Sequence, residues 1–266
     1  MKVVLVGAGA VATHMAQRLC SVGVDVVQVY SRSEQSAQLL ALQTGADWIT
    51  SLKKLRGDVD VIVFAVTDDA LPEMVHIVMS KLTADQKPLL VHTSGATPVK
   101  VFAAYEGASG VVYPLQTFSR TRMLDFSRVP LFIEAQGNAQ DDIPTVADFA
   151  RLFSPLIYEA DTAMRTRLHV AAVFACNFVN HLYELGGEVL HEAGLPFDVL
   201  LPLIEETAYK VCELPPCQAQ TGPAVRNDQT TIQRHLTLLQ QDGNEHLVHL
   251  YKYLTESIHN GQQQKS

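Results

Sequence analysis

The sequence is poor in charge. Only 18% of its 266 residues are charged, and 20 basic side chains face 28 acidic ones for a formal net charge of −8. A chain without a basic excess cannot displace counterions from a phosphate backbone, which argues against nucleic acid as a partner. Cysteine is equally scarce. Cys20, Cys176, Cys212 and Cys217 form no C-x-x-C pair and no zinc-finger spacing, so free thiols in a reducing cytoplasm are expected. Long apolar runs are also missing. The most apolar helical stretch, Val170 to Cys176, is cut by Asn177, Asn180 and His181, far short of the ~20 residues that a membrane span needs. The N-terminal run MKVVLVGAGA is too short for a signal h-region and leads straight into a glycine turn. G-x-S-x-G, Walker and H-E-x-x-H motifs are absent, which leaves serine-hydrolase, P-loop and zincin chemistry without support. A cytoplasmic protein with no membrane or nucleic-acid partner is expected.

What the sequence does have is apolar material, 47% of its residues, enough for one large core or two modest ones. The first 160 residues repeat a theme of short apolar run and helical pattern: KVVLVGAG then AVATHMAQRLCSVG, DVVQVYSRS then EQSAQLLALQTG, VDVIVFAVTD then ALPEMVHIVMSKL. The runs PLLVHTSGA, GASGVVYPL, VPLFIEAQ and SPLIYEAD follow. Strands with continuous Val, Ile and Leu are buried on both faces, and their alternation with helices predicts an α/β fold with a doubly wound, mostly parallel sheet. After Asp161 the periodicity is helical, with no convincing strand. Gly186-Gly187 is placed to kink or split the first of these helices, and Pro202 to sit in the first turn of the second. Charge divides as well, −2 over residues 1–158 against −6 over 159–266. Two domains are expected, a nucleotide-binding domain over 1–160 and an all-helical domain over 161–266.

Between the first strand and helix lies Gly7-Ala8-Gly9-Ala10-Val11-Ala12, a G-x-G-x-x-A turn. Gly7 permits the tight turn, Gly9 lets the backbone approach a pyrophosphate, and Ala12 allows close helix–strand packing. The first amides of the helix, around Val11, would face the phosphates. The second strand selects the dinucleotide. An acidic residue there would bond the ribose hydroxyls of NAD, but this strand ends Val29-Tyr30-Ser31-Arg32-Ser33. Arg32 can pair with a 2′-phosphate, with Ser31 and Ser33 as added donors, so NADP is expected; the alternative is a solvated loop arginine. Two further strand ends, Ala65-Val66-Thr67 and Thr93-Ser94-Gly95-Ala96, should line the same crevice.

GAGAVATHMAQRL, YPLQTF, HVAAVFACNFVNHL and TGPAVRND, taken together, resemble the Rossmann-like NADP oxidoreductases whose C-terminal half is an all-helical domain of unknown function. That family is similar in layout to pyrroline-5-carboxylate reductase, ketopantoate reductase and the β-hydroxyacid dehydrogenases. The resemblance implies reduction of a small carbonyl or imine in an interdomain cleft, and a homodimer built through the helical domains. Two departures stand out. The family has His-Pro where this chain has Tyr113-Pro114, and the catalytic lysine of the dehydrogenases is matched here by His169.

Hydride transfer needs orientation, a proton donor and polar anchors. At 100° per residue, Cys176 and Asn180 each fall within about 20° of His169, with Asn177 about 80° round. His169 could donate the proton, with Asn177 or Asn180 holding the substrate oxygen; the alternative is a buried histidine and packing asparagines. In the second half, Asp228 reads as the N-cap of a helix starting at Gln229. Arg226 could fork onto a substrate carboxylate together with helix-terminal amides, and Thr221 and Ser94 are further candidate substrate contacts; the alternative is a capped loop with an Arg–Asp pair. A non-catalytic NADP-binding sensor or assembly protein is the rival reading. His14 is expected to pack rather than react.

Overall fold

Strand β1 (Lys2–Val6) divides its side chains between two cores, Val3 and Leu5 into one, Val4 and Val6 into the other. A strand buried on both faces belongs in the interior of a covered sheet. The computed structural model, which describes residues 1–137 and 144–263, adds β2 (Asp25–Tyr30), β3 (Asp47–Ile49), β4 (Val61–Phe64) and β5 (Leu89–His92). It completes the sheet with β6 (Ser109–Pro114), β7 (Leu131–Gln136) and β8 (Ile157–Glu159). The order is β3-β2-β1-β4-β5-β6-β7-β8, and every neighbouring pair is parallel except β6–β7. The doubly wound α/β sheet read from the apolar runs is therefore present, followed by helices alone. The carboxyl ends of β1, β2, β4, β5 and β6 share one edge.

Helices α1 (Ala10–Ser21) and α2 (Glu34–Thr44) contribute Ala12, Met15, Ala16, Leu19 and Leu40 to the first core. The second core takes Leu71, Met74, Val75 and Val78 from α3 (Leu71–Met79) and Phe102 from a 3-10 turn. Two short elements escape the periodicity reading. β3 has three residues, too few to show alternation. Helix α4 (Val146–Arg151) is one and a half turns long, but its capping box, Thr145 with Asp148, is a local signal that could have revealed it.

The chain divides into two compact units, Met1–Cys176 and Asn177–Ser266. The division falls later than the change of pattern near residue 160 because helix α5 (Thr162–Ala172) is fastened to the sheet. Asp161 caps it by accepting the Met164 amide at 2.8 Å. One turn in, Arg165 is fully buried and donates to the Glu134 carboxylate on β7, and to the carbonyls of Ala160 (3.0 Å) and Thr97 (3.1 Å). Glu134 lies opposite Val111 on β6, and Tyr113 is two residues further along that strand. Two strand residues and one helical turn span similar distances, roughly 6 Å each. His169, one turn beyond Arg165, thus arrives beside Tyr113.

Between α5 and α6 (Val179–Glu192), residues Val173–Phe178 form a π-helical segment. This corrects two expectations. The helix runs through Gly186-Gly187 and is interrupted earlier, and the 100° step that aligned His169 with Asn180 does not continue across an i→i+5 turn. The second unit continues with α7 (Leu201–Glu213), with Pro202 in its first turn as expected, and α8 (Pro216–Ala219). Its core lies between α9 (Gln229–Gln241) and α10 (Glu245–Gln263), where Ile232, Leu236, Leu239 and Val248 pack. No described helix is long and apolar enough to cross a membrane.

Removing one partner of a buried ion pair leaves the other without its counter-charge. Arg165→Ala is expected to lower stability by about 3 kcal/mol in urea unfolding. A loss below about 1 kcal/mol, the range of an exposed pair, would show that α5 is held by something else.

Candidate functional site

The carboxyl ends of β1, β2 and β4 enclose a groove of about 330 Å³. Gly7 begins the turn at φ +123°, and a side-chain carbon there would overlap the Ala65 carbonyl at the end of β4. Its amide donates to the Tyr30 carbonyl at 2.8 Å, stitching the turn to β2. Gly9, the N-cap of α1, is different: a side-chain carbon at that position would meet nothing within 4 Å. Internal packing therefore does not require glycine at position 9, and the open space lies in front of helix amides with no acidic side chain in their first turn. These features fit a phosphate-bearing ligand approaching the backbone closely.

Of the residues read from sequence as cofactor contacts, Gly7, Ala8, Gly9, Ser31, Arg32, Ser33, Ala65, Val66 and Thr67 line this groove. Ala12 does not; it is fully buried in the helix–sheet contact, and Val11 is half-buried against the same core. The serines flanking Arg32 are partly committed. Ser31 Oγ accepts the Ser33 amide at 3.2 Å, and Ser33 Oγ caps α2 through the Ser36 amide. Arg32 is exposed at the groove wall. Tyr30, Ala70, Met74 and Arg120 also line the groove and escaped the motif reading. Arg120 comes from a loop more than a hundred residues away in sequence, which no local pattern connects to the glycine turn.

Further along the same edge, the Tyr113 hydroxyl lies 3.2 Å from His169 Nδ1. The Tyr113 ring occupies the space beside Gly95, where a side-chain carbon would collide with it. Burial, then the nearby Asp68 carboxylate, push the Tyr113 phenol above its ordinary range. Its hydroxyl therefore stays protonated at neutral pH. Asp68, whose charge acts on the phenol, adjoins the groove-lining Thr67. In the sequence Tyr113 stands where the family has a histidine, so a proton role there would fall to a phenol or be absent; in the structure that phenol is paired with His169.

Ser94 is buried, its Oγ accepts the amides of Ala96 (3.2 Å) and Thr97 (2.8 Å), and it is not among the residues that line the groove. Its own amide donates to Nδ1 of the fully buried His92. Asn177 and Asn180 lie exposed in the second unit, as do Thr221 and Arg226. The 221–228 loop turns at Gly222 (φ +106°) and Asn227 (φ 52°), and Asp228 caps α9 through the Thr231 amide, as expected. Arg226 helps hold the Asp228 carboxylate below its ordinary range, behind the hydrogen bonds from Thr231. His14 is buried, as packing would require. Among the described residues, no three His, Cys, Asp or Glu side chains gather as metal ligands would.

Residues 1–116 match a Rossmann-like domain family, and residues 129–258 match a family described as a domain of unknown function, DUF2520. A solved protein from Bacteroides fragilis, described as a "putative NADP oxidoreductase", shares 42% sequence identity; the match covers 97% of this chain and 98% of that one, with a TM-score of 0.89. The chain belongs to this two-part Rossmann-like and DUF2520 family. More distant members of the fold include a Thermotoga maritima protein (21% identity, TM-score 0.69, 99% of each chain). Another is the reductive aminase of Aspergillus terreus, solved with NADPH and ethyl-5-oxohexanoate (13% identity, TM-score 0.70, 99% and 94% of the chains). These two show the fold alone. No curated protein sequence matches the chain.

The site also carries a pH dependence. Burial, then the Arg165 charge, push His92 down from 6.5 to about 3. In the unfolded chain His92 takes up a proton near 6.5, while in the folded chain it resists until about 3. Its contribution to stability is thus complete above 6.5 and is lost as pH falls toward 3. His92→Asn keeps an acceptor for the Ser94 amide without this titration. The wild-type melting midpoint should fall more steeply than the variant's between pH 6.5 and 4; parallel curves would contradict the assignment.

Proposed function

We propose that the protein is an NADP-dependent oxidoreductase that reduces a small carbonyl or imine compound. The observation that carries this reading is one edge of one sheet holding both a dinucleotide groove with Arg32 at its wall and a Tyr113–His169 pair. The 42% identical relative, described as an NADP oxidoreductase, supports it. In this reading the glycine turn admits the diphosphate, Arg32 pairs with the 2′-phosphate, and Ala65, Val66 and Thr67 leave room along the groove. Bound NADPH supplies a hydride.

The chain's own residues handle the proton. Tyr113 Oη, kept protonated by burial, donates to the substrate oxygen or nitrogen as negative charge develops there. His169, exposed to water, takes a proton from solvent and passes it through Nδ1 to the Oη that has given up its own. Asn177 and Asn180 belong to this reading as amide anchors, and Ser94, Thr221 and Arg226 as contacts for a substrate carboxylate. A homodimer through the helical unit is part of the same proposal. On α7, Leu201, Leu203, Tyr209 and Val211 are all exposed in the single chain, Leu203 by 63% and Tyr209 by 67%. Apolar side chains left exposed around one helix call for a cover. Light scattering should report twice the chain mass, and a monomer at micromolar concentration would remove the dimer from the proposal.

Two substitutions test the chemistry separately. Arg32→Ala should weaken NADPH at least about tenfold and leave NADH unchanged, because only NADPH carries the 2′-phosphate. Tyr113→Phe should lower kcat about a hundredfold on any substrate found in a panel of keto acids and cyclic imines, with NADPH affinity retained. An unchanged kcat in the phenylalanine variant would remove the phenol from the reaction.

A further inference from the structure

The dinucleotide groove holds a second arginine that the glycine motif does not include. Arg120 sits on the loop after β6, and its Nη2 donates to the Ala8 carbonyl at 2.5 Å, in the middle of the glycine turn. The loop is held there by its neighbours. His14 on α1 bonds the Ser119 carbonyl through Nε2 at 2.8 Å, and its ring lies 5.3 Å from that of Phe118. Phe118 in turn meets Phe126, which packs on Phe153 in the first core. Beyond Arg120, Ser119 Oγ accepts the Thr121 amide and lies 2.9 Å from its hydroxyl, closing a small turn with Arg120 at its tip.

The electrostatics of the groove lack a counterpart for this charge. Its lining includes Arg32 and Arg120 and no carboxylate. Arg120 takes part in no ion pair among the described residues. The Ala8 carbonyl uses one of the five guanidinium N–H groups, and the remaining donors are available to a fork-shaped acceptor. The two arginines enter the groove from different elements. Arg32 follows β2, where the ribose of a dinucleotide is selected, whereas Arg120 stands over Ala8, where backbone glycines admit the diphosphate.

We propose that Arg120 clamps the diphosphate of the bound dinucleotide, supplying a full positive charge to a turn that otherwise offers only backbone amides and the helix dipole. This rests on the NADP reading of the groove. Arg120 is a binding residue for both dinucleotides, since NADPH and NADH share the diphosphate and differ only at the 2′ position.

Isothermal titration of the full-length protein with NADPH and NADH tests the clamp without any turnover. Arg120→Ala and Arg120→Gln should each weaken both dinucleotides by the same factor, about 10- to 100-fold. The NADPH/NADH ratio should stay at its wild-type value. Arg120→Lys should recover part of the loss, because it restores the charge without the fork. Glutamine keeps an N–H donor for the Ala8 carbonyl, so wild-type affinity in Arg120→Gln would reduce the arginine to a loop fastener and overturn the clamp. Unchanged binding in Arg120→Ala would do the same while leaving the cofactor reading intact. A loss confined to NADPH would assign Arg120 to the 2′-phosphate instead. A wild-type protein that binds neither dinucleotide would overturn the cofactor reading and the clamp together. Arg120 is exposed, so the variants should melt as the wild type does.

Discussion

The groove depends on the contact between Gly7 and the end of β4. Val6 lies beside Phe64 in the parallel register, and the Ala65 amide donates to the Val6 carbonyl at 2.9 Å. The two strands therefore end side by side, and the chain leaving β1 must turn against the backbone leaving β4. Only a residue without a side chain fits, and the left-handed φ of +123° makes the same demand independently. From that turn α1 starts with its amides facing the open space before Gly9, and β2 closes the other side through the Tyr30 carbonyl. A side chain at position 7 would have to separate β1 from β4, displacing the floor of the groove.

A second constraint fixes the reacting end. Arg165 is fully buried, yet its donors are directed to the Glu134 carboxylate and to the carbonyls of Ala160 and Thr97. A charge so deeply placed is tolerated because it is paired and hydrogen-bonded. These attachments, with one to the Thr162 hydroxyl, join β7, the start of α5 and the loop after β5. The Tyr113–His169 pair and the Ser94 turn thus share one support, and burial, then the charge on that support, keep His92 neutral. In the proposed reaction, a buried ion pair would hold the proton donor in place through each turnover.

Much of this was legible in the sequence because its signals are local. The β1–turn–α1 unit appears in eleven consecutive residues, Ser31-Arg32-Ser33 after β2 line the groove beside it, and Asp228 caps α9 as its residue type and place predict. What was not legible is nonlocal or conformational. Arg120 reaches Ala8 across 112 positions. The Tyr113–His169 contact spans 56 positions and depends on the antiparallel β6–β7 register and on a salt bridge that no motif encodes. The π-helical segment at Val173–Phe178 has apolar residues compatible with an α-helix, so periodicity could not reveal that the turn widens there and shifts the helical phase.

The central claim is that the glycine-turn groove binds NADP. Its most direct test is a calorimetric titration of the unmodified protein with NADPH beside one with NADH. The structure predicts one NADPH per chain with micromolar affinity and NADH weaker by about tenfold or more, the contribution of a charge-assisted contact to the 2′-phosphate. Equal or tighter binding of NADH would contradict the role given to Arg32, and the absence of heat with either would contradict the account of the groove as a whole.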